Sequence, residues 1–157
     1  MHLTRVRIAW LWLVVALALH VIDEASTGFL DVYNPTVRAL RERLGWFPMP
    51  EFRFEVWATG LAALVLGLAL LTPLVDRGPR AMRVATVAFA GLMVLNGAAH
   101  ITGTIVGRTV ATVRFDRPMP GFWSSPLLIG AAVFFVVRAR RRDGVTKDTA
   151  SRPHQSP

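Results

Sequence analysis

The sequence predicts an all-α membrane protein, a four-transmembrane-helix bundle with both its N and C termini cytoplasmic. Three observations lead there. The 157 residues are 53% hydrophobic and 18% charged, against about 25% charged in soluble domains, and the mean hydropathy is +0.43. The apolar residues gather in four long blocks, at about 8–24, 54–75, 84–106 and 122–137, each approaching the roughly 20 residues that cross about 30 Å of hydrocarbon. The basic residues lie between the blocks and after the last one, as retention of Lys and Arg on the cytoplasmic side requires. The net charge of +8 therefore reflects topology, and no nucleic-acid partner is expected. With no cysteine, a disulfide framework, a thiolate metal centre and a Cys nucleophile are excluded.

The elements follow in order. Arg5 and Arg7 precede the first block; it is expected to stay as a span rather than be cleaved as a signal peptide at Ala16-Leu17-Ala18, since three further spans need a first one to orient them. In the following loop, Asn34-Pro35-Thr36 reads as a helix start, and Val37, Leu40, Leu44 and Phe47 recur at helical spacing. This predicts a short surface helix within residues 34–50. Arg77, Arg80 and Arg83 separate the second and third blocks, and Arg138, Arg140, Arg141, Arg142, Lys147 and Arg152 follow the fourth. With Arg5 and Arg7 these are eleven of the 18 basic residues; Arg38, Arg41, Arg43, Arg53, Arg108, Arg114 and Arg117 are the seven on the other side. The membrane domain is thus 1–142, in the plasma membrane, and 143–157, polar with Pro and Ser, is expected to be a disordered cytoplasmic tail in which His154 is inert. Trp10, Trp12, Trp57 and Trp123 fall near predicted span ends and read as an interfacial aromatic belt. Gly60, Gly67, Gly91 and Gly97 read as points of close helix packing.

Ionisable residues inside a span are expensive, which draws attention to His20, Asp23, Glu24, Glu55, Asn96 and His100. Spacings of three and four put His20, Asp23 and Glu24 on one helix face and Asn96 with His100 on another. Their depths agree. His20 is 13 residues after Arg7 and Asn96 is 13 after Arg83, while Glu24 and His100 are each 17 after the same arginines; at 1.5 Å per residue the two pairs lie about 20 and 26 Å from the inner boundary. Glu55, entering from the outer side, is expected near that level. One polar site in the outer half of the bundle is the economical reading, with His20, Glu24, Glu55 and His100 as ligands of a divalent metal (Zn, Fe or Mn), since these ions accept N and O donors. His20, Asp23, Glu24, Asn96 and His100 would be the catalytic groups, an imidazole beside carboxylates being suited to acid–base work. The competing interpretation is a buried polar network that fixes the bundle register.

The run His20-Val21-Ile22-Asp23-Glu24 resembles the signature of the HXXEE family of small membrane proteins, with Asp23 in place of the first Glu, which keeps a carboxylate and shortens its reach. Asn96-Gly97-Ala98-Ala99-His100 is similar to the family's Asn and His in a following span, and Pro118-Met119-Pro120-Gly121 to its Pro-Gly turn. The resemblance covers most of residues 8–138 and marks His20, Asp23, Glu24, Asn96, His100 and Gly121. It implies a domain without an assigned reaction. The function expected from the residues is a membrane-embedded, metal-dependent enzyme whose partners are the lipid bilayer and a lipid or small hydrophobic substrate. The alternatives are a small-solute, proton or metal transporter, in which the same groups bind and release a cation, and a structural accessory subunit.

Overall fold

The computed structural model describes residues 4–110 and 112–150, with side chains described as far as 141. The described residues are mostly helical, in six helices and one small hairpin: α1 (Arg5–Ser26), α2 (Phe29–Leu44), α3 (Phe54–Leu70), α4 (Leu74–Arg77), α5 (Arg80–Val106), β1 (Arg108–Val110), β2 (Val113–Arg114) and α6 (Ser125–Ala150). Two of them, α1 and α5, are long and apolar enough to cross a membrane. The second apolar block does not continue as one helix. It ends at Leu70 in a turn through Thr72 and Pro73 before α4, because Pro73 lacks the N–H that would extend the ladder. The fourth block opens with a turn at residues 120–124, and α6 then continues past Val137 through the arginines to Ala150. Arginine is a good helix former and no proline intervenes before Pro153. Helix α6 therefore takes in the first part of segment 143–157; the rest of that segment, His154 included, lies outside the described residues.

Helix boundaries follow local chemistry. Thr4 caps α1, its hydroxyl accepting from the Arg7 amide at 3.3 Å. Gly45 and Gly107 close α2 and α5 in the left-handed region at φ 72° and 74°, where a β-carbon is disfavoured. Helix α2 begins at Phe29, five residues before the start expected at Asn34, and contains Pro35. Asn34 does not cap it. Its amide instead donates to the Phe52 carbonyl at 2.9 Å and accepts from the Phe52 amide at 3.0 Å, so the chain folds back along α2. Glu51, beside Arg38 at 2.8 Å and Arg41 at 3.3 Å, fastens the same return, and the Arg38 hydrogen bond holds its carboxyl below the usual range.

Helices α1, α5 and α6 form the centre, with α3 laid along α1 and the hairpin against α2 and α5. The core is Trp10, Leu13, Leu128 and Phe135, closed by Ala9, Ala90 and Ala132. Trp10 departs from the aromatic-belt expectation. It is buried, edge-on to Phe135 at 5.2 Å between centroids, and its indole N–H donates to the Leu68 carbonyl at 3.0 Å, an acceptor that Thr72 and Pro73 leave outside the helix ladder of α3. Trp57 is buried too, stacked on Phe29 at 5.8 Å. Of these four tryptophans Trp12 and Trp123 face outward, as does Trp46 in the loop after α2. Arg7, counted above as a flanking charge, is likewise buried, its Nε 2.7 Å from Asp76 Oδ1 and its Nη2 donating to the Pro73 carbonyl at 2.8 Å.

Candidate functional site

The polar residues of α1 and α5 meet at the end of the bundle away from Arg7. Helix α1 carries His20 and Glu24 one turn apart, which aligns them on the inward face; α5 brings His100, and the turn before α6 closes over them. His20, Glu24 and His100 are all buried, and one ligand atom of each lies within 4.8 Å of the others. Glu24 Oε1 is 3.1 Å from His100 Nε2 and 3.5 Å from His20 Nε2. The two imidazoles stand nearly perpendicular, 4.9 Å between centroids. Phe29 covers His100 at 5.8 Å, and Trp57 stacks behind Phe29.

The far nitrogen of each ring is anchored. His100 Nδ1 donates to the Pro120 carbonyl, and a carbonyl only accepts, so Nδ1 carries a proton; Nε2 faces Glu24, bare when the ring is neutral and donating to the carboxylate when it is charged. His20 Nδ1 meets Ser124 Oγ at 2.8 Å. Ser124 in turn gives its hydroxyl proton to Asp23 Oδ2 at 2.7 Å, and its amide donates to the same oxygen at 2.9 Å. With that proton committed, Ser124 accepts from His20, whose Nε2 is then bare as well. Asn96 Nδ2 lies 3.0 Å from it and donates, so an ion bound at this nitrogen would take the place of that hydrogen bond. Asp23 therefore acts on His20 through Ser124, and a second layer of this kind fixes tautomer and ring orientation at metal centres.

Gly121 makes the closure possible. It sits at φ 82°, and a β-carbon there would lie 2.9 Å from the His100 ring and 3.0 Å from Glu24 Cγ. Its carbonyl accepts from the buried Ser125 hydroxyl at 2.7 Å, which ties the turn to the start of α6.

Of the residues singled out from the sequence, His20, Asp23, Glu24, Asn96 and His100 come together and Glu55 does not. Glu55 lies in the first turn of α3 with its side chain 73% exposed, 3.8 Å from Arg53. Counting along a helix gives depth but not azimuth; α3 turns Trp57 inward and Glu55 outward, where the N-terminal dipole favours a carboxylate. Ser124 and the Pro120 carbonyl were not singled out. The signal for Ser124 was its position three residues after the Pro-Gly turn, at the depth of the histidines. Comparison of the chain with protein-family models, curated proteins and solved structures finds no match.

Proposed function

We propose that the chain is a four-span membrane protein of the plasma membrane, both termini cytoplasmic, and a metal-dependent enzyme acting on a lipid or small hydrophobic molecule. The observation that carries the reading is that two imidazoles, each tied through Nδ1, turn their Nε2 atoms toward one carboxylate oxygen. The donor set fits a Zn-class ion. Two ligands about 2.0–2.1 Å from a tetrahedral ion stand about 3.3 Å apart; the N···O separations of 3.1 and 3.5 Å bracket that value, while the three ligand atoms together lie within 4.8 Å, so the ligands would draw in around the ion. His20, Glu24 and His100 would hold the ion, with Zn, Fe and Mn as the candidate metals.

Three protein ligands leave a coordination position free, as in catalytic rather than structural zinc sites. When bound, the ion would supply Lewis acidity toward a carbonyl or phosphoryl oxygen. Ser124 and Asp23 hold His20 in one tautomer, Asn96 offers an N–H at the rim, and Phe29 with Trp57 keeps water from one side. Membrane insertion is supported by the outward faces: Ile22, Leu66, Leu70, Leu95 and Ile105 are each more than 60% exposed, an arrangement suited to lipid rather than water. The HXXEE resemblance agrees with the positions chosen and adds no reaction.

The competing assignment, a structural network in an accessory subunit, has one observation in its favour: among the described residues no buried side-chain nitrogen or oxygen lacks a hydrogen-bond partner. Glu24→Gln and His100→Gln separate the two. A metal centre predicts that both variants insert, lose metal and melt near the metal-stripped wild type. A structural network predicts unchanged metal content and a loss of about 3–5 kcal/mol, the cost of breaking a buried pair.

A further inference from the structure

Where α5 runs into the hairpin, a groove of about 350 Å3 is lined by Val106, Gly107, Arg108, Arg114, Phe115 and Arg117. Three arginines meet there, and among the described residues none of the three is paired with a carboxylate. Gly107 leaves room for this: a β-carbon would lie 2.9 Å from Arg117 Nε and Nη2, so the guanidinium rests against bare backbone. Like charges repel, and a cleft lined by one sign of charge concentrates the opposite one. The planar fork of Arg matches phosphate oxygens two at a time.

The groove adjoins the metal-ligand cluster. Gly107 is seven residues beyond His100 on α5, about 10 Å further along the axis. Segment 115–120 joins the two: Phe115 lines the groove, the Met119 amide donates to Thr104 Oγ1 at 3.0 Å, Thr104 donates to the His100 carbonyl at 2.9 Å, and Pro120 holds the His100 ring. In the four-span topology this loop is on the outer side, where arginines work against the inside bias of positive charge. The second outer set is different, since Arg38 and Arg41 share the Glu51 carboxylate.

From this geometry we infer that the Arg108, Arg114 and Arg117 groove binds the phosphate of an anionic phospholipid headgroup, which makes phospholipid the substrate class of the neighbouring centre. The assignment of substrate rests on the membrane-enzyme reading above.

The test uses the full chain purified in a neutral detergent and titrated with dioctanoyl phosphatidic acid, dioctanoylglycerol, which lacks the phosphate, and inorganic phosphate. The triple variant Arg108→Gln, Arg114→Gln, Arg117→Gln and the single variant Arg117→Lys are run alongside, with metal content and melting temperature read on the same samples. Phosphatidic acid is expected to bind at least about tenfold more tightly than dioctanoylglycerol. The triple variant should lose that preference with metal content and melting temperature unchanged, and Arg117→Lys should lose part of it. An undiminished preference in the triple variant overturns the site. Inorganic phosphate binding as tightly as phosphatidic acid overturns the lipid assignment in favour of a free anion. A metal-free wild type that keeps the lipid preference supports the groove and overturns the metal centre instead.

Discussion

Ser124 carries more of the site than its chemistry announces. Its hydroxyl joins Asp23 to His20, and Ser124→Ala is expected to weaken metal binding about 10- to 100-fold, the usual effect of removing an outer partner, with little change in the melting temperature of the metal-free protein; competitive titration against a chelator measures it. Gly121→Ala should be more damaging. It places a β-carbon against His100 and Glu24 in a backbone region that costs an L-residue about 1–2 kcal/mol, so both metal content and melting temperature should fall. Unchanged melting of Gly121→Ala would contradict the packing described. His20, Glu24, Asn96 and His100 were legible in the sequence because an ionisable or amide group in an apolar block is costly and needs a partner. Ser124 was not, since a hydroxyl at a helix start has an ordinary local use. Glu55 misled because depth alone was counted.

The helices were legible in outline and their ends were not. Hydropathy located α1, α3, α5 and α6, yet Pro73 splits the second block and Asn34 spends its amide on Phe52 rather than on a cap, choices made by tertiary contacts that a local pattern does not contain. The burial of Trp10 and Arg7 belongs with these. An aromatic or a cation near a span end is read as interfacial until the neighbouring chain is known, and here Leu68, Pro73 and Asp76 supply the partners. Arg7 thereby fastens α1 to α4 at the end of the bundle opposite the histidines. Arg7→Met is expected to destabilise the protein by about 3 kcal/mol, since it breaks the buried ion pair with Asp76, while metal content stays at the wild-type level. Thermal melts in detergent, with metal measured on the same preparation, check both halves.

The two ends of the bundle thus divide the work: a buried ion pair near the N terminus, and at the far end two histidines and a carboxylate beside an arginine-lined loop. Topology determines what that second end faces. The chain has no cysteine, so single-site variants can be labelled without background. Arg41→Cys and Arg114→Cys should react with a membrane-impermeant thiol reagent in intact cells, and Arg142→Cys only after lysis; the reverse pattern would invert the topology and detach the groove from the outer leaflet. The proposed metal centre is tested most directly by elemental analysis of the purified wild-type protein beside Glu24→Gln. The account predicts about one Zn, Fe or Mn per wild-type chain, lost in the variant, and a melting temperature that rises when the metal is returned to stripped wild type, because an ion that binds only the folded state stabilises it. A wild-type protein that holds no metal, and whose melting temperature does not move when Zn, Fe or Mn is added, would contradict it.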